Sequence, residues 1–484
     1  MEVRTVFSNG QTIALLGRGA LGHNKLDVLT GPNGSGKTAA LTSLVRAFAK
    51  LPKSSSQAVF EQLKGSDAFP EVSGQPSRVL AQTFSPFTRF PAQPQANDRL
   101  LDVYSDHSIK HEPYVCLGLH KSFRGVAGQL SRRILEEALF RISEFPESTR
   151  PLFEVMRSMD FHPMLRLVYR PKQDVRNLFE NFDVDHVARY LESRAEYRRP
   201  FLGSVTSRVR RELETKSLDE LVQTVSSSLA AVQALSNQMN DHDSIRHHPE
   251  SFTLPLQLDS IRHDFFHLQA VTVLRYFELI NLTHCELTRS KRGLPFDVAN
   301  ASSGEQQMLC SIFGIASAIR DESLVLIDEP ELSLHPKRQI DFIEAIRALL
   351  DLVKGCHVIM STHSPVVVQA AQAIGAGITQ LGESKSVSVP PNESAPISVE
   401  QALVDVFETP VPGSAHVCNQ IFKAIVLAET GGKSGKNAAL ETLHALETVY
   451  GPTSDLRTRM LIRDALRLVE SAGDDPEVDP EAET

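Results

Sequence analysis

Apolar residues along this chain follow two periods, and the two periods separate buried strands from amphipathic helices. Short apolar runs bounded by turn residues predict buried strands, and they lie at 26–30, 78–83, 295–298, 324–327 and 357–360. Helical spacing of three and four residues lies at 39–50, 305–320, 336–353 and 365–374. Strands that alternate with helices in this way predict an α/β core with a mixed sheet and flanking helices.

The middle of the chain, from about 100 to 290, shows a different pattern. Apolar stripes at helical spacing predict long helices there, and they lie at 126–142, 218–239 and 261–277. The polar segment 241–250 separates the last two stripes, so we expect a short antiparallel helical hairpin.

These patterns predict a discontinuous core with one helical module inserted and another appended. The predicted units are the first part of the core at 1–99, a mainly helical insertion at 100–290, the second part of the core at 291–383, a helical C-terminal module at 398–472 and a disordered acidic tail at 473–484.

Charge and cysteine content narrow the class of protein. The formal net charge is −9, but six acids lie in the last eleven residues, so the rest of the chain is close to neutral. Basic residues cluster at 121–133 and 194–211, which permits a nucleic-acid surface, although solvated helix faces are the favoured explanation of either cluster. Five scattered cysteines without a CxxC pair indicate reduced thiols. No run approaches ~18 apolar residues and no signal pattern opens the chain, so we expect a cytoplasmic protein without a membrane partner.

The segment GPNGSGKT at 31–38 has the composition of a phosphate-binding loop between a strand and a helix. Glycines let backbone N–H groups turn towards a phosphate, and the following helix presents its positive end. Lys37 is predicted to reach the β- and γ-phosphates of ATP, and the Thr38 hydroxyl to hold Mg²⁺. The other nucleotide-binding candidates in this loop are Asn33, Gly34, Ser35 and Gly36.

Two further segments supply the groups that hydrolysis requires. The apolar run LVLIDE ends in Asp328, a predicted magnesium ligand, and Glu329, a predicted general base for water. His363, in the segment STHSP 35 residues after Asp328, is predicted to bind the γ-phosphate and hold the attacking water.

A second anion site is predicted at the start of a helix, within SSGEQ at 302–306. A serine hydroxyl and free backbone amides at a helix N-terminus bind anions. The same pattern is typical of a helix cap, with Ser302 or Ser303 as N-cap and Glu305 or Gln306 in the first turn. Gly304 completes the candidate nucleotide-binding residues of this segment.

In their order along the chain, which is 31–38, 302–306, 328–329 and then 361–365, the four segments resemble those of the ABC-type P-loop ATPase superfamily, including its DNA-repair and chromosome-organising branch. The resemblance implies that 302–306 binds the γ-phosphate held by a second subunit, so that two chains close as a homodimer around two ATP molecules. Gln82, after a predicted strand, matches a glutamine that binds magnesium and water in that superfamily. The segment ELSLHP, with Ser333, Leu334 and His335, resembles the loop that joins the two sites.

Three other segments make the resemblance more specific. TFSPFTRFP at 83–91, YVCLGLHKS at 114–122 and SVEQALVDVFETPVP at 398–412 are similar to the ATPase subunit of Septu antiphage systems, which is also found in some retrons. The resemblance implies an antiviral ATPase that forms higher homo-oligomers and regulates a separate HNH-type nuclease.

Two other functions remain open at the level of sequence. One is a DNA-repair or chromosome-type clamp without a nuclease partner, and the other is the motor subunit of a membrane transporter. Phage-defence ATPases of the OLD group carry a Toprim nuclease domain with a strand-end Glu and a later DxD. No DxD follows Glu429 before the acidic tail, so we expect no nuclease site in this chain.

Overall fold

A computed structural model describes most of the 484-residue chain. The described residues are 1–8, 10–16, 23–48, 70–83, 90–91, 114–118, 127–142, 149–180, 183–196, 209–210, 212–238, 251–258, 265–291, 293–381, 386–389, 397–451 and 455–471. The strands are β1 Glu2–Val3, β2 Thr5–Ser8, β3 Gln11–Ala14, β4 Lys25–Thr30, β5 Val72–Ser73, β6 Arg78–Thr83, β7 Tyr114–Gly118, β8 Phe161–Pro171, β9 Phe252–Gln257, β10 Ile280–Arg289, β11 Pro295–Asp297, β12 Ser323–Asp328, β13 His357–Ser361, β14 Gly377–Leu381 and β15 Ser386–Val389.

A central sheet organises the core. Seven described strands pair in the order β15-β14-β4-β13-β12-β6-β7. All neighbours run parallel except the edge pair β14 and β15, which is antiparallel. Every residue of β6, β12 and β13 is buried, as expected for parallel strands covered on both faces. The predicted α/β fold class, a P-loop core with added helices, is confirmed.

Alternation along the strands divides the interior between the two faces of this sheet. In β12, Val325 and Ile327 belong to one apolar core, whereas Leu324 and Leu326 belong to the other. The second core is covered by helix α1 (Lys37–Phe48), and apolar residues of the small sheets β2–β3 and β1–β5 pack in the same core. The first core is larger and is shared with the insertion.

The remaining helices of the insertion and the core are as follows. They are α2 Ala127–Ile142, α3 Thr149–Ser158, α4 Arg176–Glu180, α5 Val184–Glu196, α6 Leu218–Gln238, α7 Phe265–Tyr276, α8 Ser303–Ala318, α9 Pro336–Leu350 and α10 Pro365–Ala373. Helices α8, α9 and α10 begin at N-caps Ser302, His335 and Ser364, and α9 and α10 carry proline in the first turn.

The insertion contains an antiparallel sheet that was not predicted, and the strand predicted at 295–298 belongs to this sheet and not to the central one. Strands β11, β10, β8 and β9 pair in that order as an antiparallel sheet. The predicted helices α6 and α7 exist and pack against each other, but β9 lies between them in the chain and pairs with β8. The chain between the two helices of the predicted hairpin therefore includes a strand of this sheet. The polar segment 241–250 lies outside the described residues.

Irregular register explains why β10 escaped detection. Its pairing with β8 shifts between Leu282 and His284 and again between Leu287 and Arg289. The first shift gives β10 one extra residue relative to β8, which moves its later side chains to the other face, so the apolar residues of β10 lose the strict period of two that marks a half-buried strand. The second shift places the extra residues in β8.

The C-terminal module has an apolar core of its own. Ser398 caps a helical turn, Val399–Gln401, which continues as the π-helix Ala402–Val406. Helices α11 Ala415–Thr430, α12 Gly432–Tyr450 and α13 Leu456–Ser471 follow and pack together. Tyr450 is buried among them, and its hydroxyl donates to the Val411 carbonyl at 3.0 Å.

Several sequence predictions fall outside the described residues. They include the acidic tail 473–484, residues 84–89 and 119–126, and the basic residues at 197–208. No helix in the described ranges combines the length and apolar character that a bilayer span requires. All five cysteines are described, and each is a free thiol.

Candidate nucleotide site

The candidate site lies at the carboxyl edge of three neighbouring strands. Strands β4, β13 and β12 are adjacent and parallel, so the phosphate loop after β4, Ser361 at the end of β13 and Asp328 at the end of β12 meet at one edge. Ligands of open α/β sheets bind at this edge. The topology alone therefore brings three of the predicted segments together.

The phosphate loop has the backbone of an anion cradle. Gly34 and Gly36 adopt positive φ angles of 84° and 96°, a conformation that other residues rarely take. At Gly31, with φ of 142°, an added Cβ would collide with the Leu381 carbonyl oxygen. The Ser35 hydroxyl is buried without a hydrogen-bond partner among the described residues. A buried hydroxyl and a glycine-lined turn fit the phosphates of a nucleotide.

Lys37 lies at the base of this loop. Its ammonium group donates to the carbonyl oxygens of Gly31 at 2.9 Å and Pro32 at 3.0 Å. Burial lowers the pKa of Lys37, and the nearby carboxylates of Glu329 and Asp328 act in the opposite direction. A cation held against the loop by backbone carbonyls is placed to meet phosphate oxygens.

Thr38 and Asp328 are joined directly. The Thr38 hydroxyl lies 3.0 Å and 3.2 Å from the two carboxylate oxygens of Asp328, and the Ser361 hydroxyl also donates to that carboxylate. Burial raises the pKa of Asp328, and these two hydrogen bonds oppose the effect. A hydroxyl and a carboxylate in contact are the pair of oxygen ligands that Mg²⁺ accepts in P-loop sites.

Glu329 and His363 lie beside this pair. The His363 Nε2 is 3.9 Å from the Glu329 carboxylate, and both side chains are about one-third exposed, at 32% and 30%. Glu329 has a positive φ of 51°, a conformation that costs about 1 kcal/mol for a residue with a side chain. Burial lowers the pKa of His363, and the positive charge of Lys37 adds to that effect. A carboxylate and an imidazole this close can both hydrogen-bond one water molecule.

Glu331 is a site residue that the sequence analysis missed. Its carboxylate accepts from the Thr362 hydroxyl at 2.8 Å and from the His363 backbone N–H at 2.5 Å. Burial raises the pKa of Glu331, and these hydrogen bonds oppose it. Glu331 therefore fixes the backbone that carries His363. Its position three residues after Asp328 was the available signal.

Gln339 extends this network to the start of α9. Its amide donates to the Leu334 carbonyl at 3.0 Å and accepts from the Ser364 hydroxyl at 2.5 Å. One buried side chain thus ties the loop at 333–335 to the segment that follows His363.

The segment 302–306 forms a complete helix cap. The Ser302 hydroxyl accepts from the Glu305 N–H at 3.3 Å, and the Glu305 carboxylate accepts from the Ser302 N–H at 3.0 Å. Gly304 faces the loop before α9, because an added Cβ would lie 2.7 Å from the Ser333 carbonyl oxygen. Ser302 and Ser303 are exposed at the start of α8. The cap alternative is correct for Ser302, and it coexists with an exposed helix N-terminus.

The two anion-binding segments belong to opposite faces of the central sheet. Helix α1, which follows the phosphate loop, packs in one apolar core, and α8, which follows 302–306, packs in the other. The phosphate loop and the segment 302–306, which are predicted to meet in a composite site, are thus followed by helices on opposite faces of the central sheet of each chain.

The structure places Gln82 away from the magnesium pair, contrary to the sequence prediction. Gln82 is directly opposite Ile327, so its side chain shares the face of that residue, whereas Thr83 is opposite Asp328. The Gln82 amide donates to the Ser311 hydroxyl on α8 at 3.1 Å. Strand alternation therefore turns Gln82 to the wrong face for Mg²⁺.

The sequence HDFFH at 263–267 spaces two histidines in a way close to a zinc-protease motif, although the apolar residues around them favour an ordinary helix face. His267 is described at the start of α7, whereas His263 and Asp264 lie outside the described residues. Within the described ranges, no group of three or more His, Cys, Asp and Glu side chains is arranged to hold a metal ion.

Comparison with known proteins supports the class of the domain. Residues 137–369 match the family model described as "AAA domain, putative AbiEii toxin, Type IV TA system". The match covers just under half of the chain and includes 302–306, Asp328, Glu329 and His363, but begins after the phosphate loop. This region is therefore similar to the AAA-type domains that the family model describes.

One curated relative shares a short segment with the chain. Protein ea59 of Escherichia phage lambda is 43% identical over 68 residues, which is 14% of this chain. The chain spans only 13% of the length of that relative, so the similarity concerns a segment and not the whole protein.

Proposed function

We propose that this protein is the ATP-binding and ATP-hydrolysing subunit of a Septu-like antiphage complex that regulates an HNH-type nuclease. The observation that supports it best is the contact of Thr38 with Asp328 beside Glu329 and His363. These are the groups that an ATPase must bring together for magnesium, water and phosphate.

ATP would be held by the loop 31–38. Backbone N–H groups and the buried Ser35 hydroxyl bind phosphate oxygens, while Lys37 balances their charge. Thr38 and Asp328 would hold Mg²⁺. The ion, when bound, neutralises charge on the phosphates. Residues Asn33, Gly34 and Gly36 complete the cradle.

Glu329 accepts a proton from the attacking water, and His363 orients that water and the γ-phosphate. The depressed pKa of His363 keeps its imidazole neutral near pH 7, so one ring nitrogen donates while the other accepts. Glu331 holds the His363 backbone in place through the 2.5 Å hydrogen bond.

The site is completed by a second copy of the chain. The exposed N-terminus of α8, with Ser302, Ser303 and Gly304, binds the γ-phosphate held by the partner. ATP binding closes the homodimer and hydrolysis opens it. The insertion and the C-terminal module transmit this movement to further copies and to the nuclease. The family description, which names a toxin of a toxin–antitoxin system, fits a defence role of this kind.

The proposed partner is tested by affinity purification from cells that express the chain with its neighbouring genes. We expect a small HNH-type protein to co-purify. We also expect ATP to control either the release of this nuclease from the complex or its cleavage of DNA. The Lys37→Ala variant serves as the nucleotide-free control. If no nuclease co-purifies and isolated protein shows salt-sensitive, DNA-stimulated ATPase activity, the function is that of a DNA-repair or chromosome-type clamp instead.

A further inference from the structure

Arg289 lies between the inserted antiparallel sheet and the N-terminus of α8. Its guanidinium carbon is 5.1 Å from the ring centroid of Phe161 and 5.2 Å from that of Phe296. The guanidinium also makes two hydrogen bonds to the Glu305 carboxylate, at 3.1 Å and 3.2 Å. Two rings and a bidentate ion pair restrict an arginine far more than an exposed pair does.

The aromatic partners come from the insertion side. Phe161 opens β8 and is opposite Arg289 in register, and Phe296 lies in β11, the neighbour of β10. Their ring centroids are 6.0 Å apart. Glu305, by contrast, belongs to the first turn of α8. Arg289 is therefore a direct polar connection between the antiparallel sheet and the capped helix.

Glu305 serves two partners at once. One carboxylate oxygen, Oε2, accepts from both the Ser302 N–H and Arg289, and Oε1 accepts from Arg289. Burial opposes ionisation of Glu305, but the hydrogen bonds from Arg289 and Ser302 outweigh it and lower the pKa of this group. A movement of the Arg289 guanidinium is passed through this carboxylate to the Ser302 backbone.

Arg289 also removes an electrostatic obstacle. The N-terminus of α8 is proposed to receive a phosphate, and an uncompensated carboxylate in its first turn would repel that phosphate. The bidentate pair neutralises Glu305 and leaves the groups that the cap does not use, the Ser302 hydroxyl hydrogen and the N–H groups of Ser303 and Gly304, at the helix end.

We infer that Arg289 is a positioning residue through which the antiparallel sheet of the insertion controls whether 302–306 can complete the ATP site of a second copy. The inference rests on the proposed composite dimer. It assigns the insertion a regulatory contact: a partner that displaces β8, β10 or β11 would change ATP turnover without touching the phosphate loop.

The test measures ATP turnover by mixtures of variant chains. Arg289→Met removes the charge and the bidentate pair while keeping an apolar side chain between the rings. We expect its own turnover to fall by about tenfold or more, with the dissociation constant for a fluorescent ATP analogue unchanged within about twofold. Mixing it in equal amounts with Lys37→Ala should restore turnover to as much as roughly a quarter of the wild-type rate, because half of the dimers are mixed and each has one intact site.

A reference pair separates this inference from the proposed function. Ser302→Arg, at an exposed position, should block the same half-site and should also be rescued by Lys37→Ala. If this reference pair fails to recover activity, the composite dimer is contradicted and the inference falls with it. If the reference pair recovers but Arg289→Met does not, or if Arg289→Met loses affinity for the nucleotide, only the inference is overturned.

Two further variants exclude a general loss of folding. Arg289→Lys keeps the charge but cannot make the planar bidentate contact, so we expect turnover between those of Arg289→Met and wild type. Lys291→Ala removes a cation two positions away, whose side chain is 84% exposed and whose ion pair with Asp160 is 3.9 Å long. Turnover and melting temperature of Lys291→Ala should match wild type. If Lys291→Ala loses as much turnover as Arg289→Met, then removal of any positive charge in this region lowers turnover, and a specific role for Arg289 is contradicted.

Discussion

The edge of the central sheet and the start of α8 differ in how their charged groups are balanced. At the edge, Lys37 and Asp328 are buried and Glu331 is half-buried, and burial is the largest influence on the pKa of each. At the start of α8, burial is again the largest single influence on the pKa of Glu305, but the hydrogen bonds from Arg289 and Ser302 together outweigh it and lower that pKa. One region concentrates charges that suit a charged ligand, and the other is already internally neutralised.

This difference indicates a division of labour. The edge is suited to binding and reaction, because its groups are crowded, largely desolvated and include a buried hydroxyl at Ser35 with no partner among the described residues. The start of α8 is preorganised, because its capping box is complete without a ligand. Substitutions should therefore affect chemistry in the first region and assembly in the second.

The largest effect is expected for Glu329→Gln, which tests the edge. The amide keeps the size of the carboxylate but cannot accept the proton of water, so hydrolysis should fall by about 10²- to 10⁴-fold. ATP binding should persist, and size-exclusion chromatography with ATP should show a longer-lived dimer. A wild-type rate of phosphate release would show that another group is the base, and a loss of ATP binding would show that Glu329 belongs to the nucleotide pocket.

Much of this edge was predictable from sequence because its residues follow strands directly. Asp328 and the phosphate loop lie at strand ends, and parallel strands bring such ends to one edge. Gln82 was misplaced because one residue of strand register decides the face, and the register cannot be obtained from a short apolar run. The network around Glu331 depends on contacts between separate loops, which local patterns do not specify.

The start of α8 was less predictable. The pattern SSGE indicated a cap or an anion site, and the structure shows a cap with an exposed N-terminus. The role of Arg289 was invisible because it depends on β10, whose bulges conceal the strand, and on the pairing of β10 with β8. Long-range antiparallel pairing leaves little trace in a single sequence when both strands are irregular.

An intermediate effect is expected for Gly304→Ala, which tests the preorganised start of α8. The new Cβ would lie 2.7 Å from the Ser333 carbonyl oxygen, so the first turn of α8 or the loop before α9 must move. Such overpacking costs about 1–3 kcal/mol, and ATP-induced dimerisation should weaken by about tenfold or more. Affinity of the monomer for ATP, measured by fluorescence, should be unchanged.

Gly314→Ala is the matched control in the same helix. Its Cβ would make an ordinary contact of 3.5 Å with Leu117, and alanine is favoured over glycine in a helix interior by about 0.5–1 kcal/mol. This variant should dimerise normally and melt at an equal or higher temperature. Equal loss of dimerisation in both variants would mean that helix α8 as a whole, and not the contact of Gly304 with Ser333, limits assembly.

The smallest effect concerns the pH dependence of the cap. The pKa of Glu305 is lowered by folding, so its ionised form stabilises the folded state above its ordinary value of 4.5, and this contribution is lost as pH falls through the lowered folded value. Glu305→Gln should therefore lower the melting temperature by about 2 °C at pH 7, and the gap from wild type should shrink on acidification below pH 4.5. Glu344→Gln removes an exposed pair with Arg347 at 3.9 Å and should show no such gap. A constant gap at every pH would assign the effect of Glu305→Gln to lost packing and would contradict the charged cap that distinguishes this region from the sheet edge.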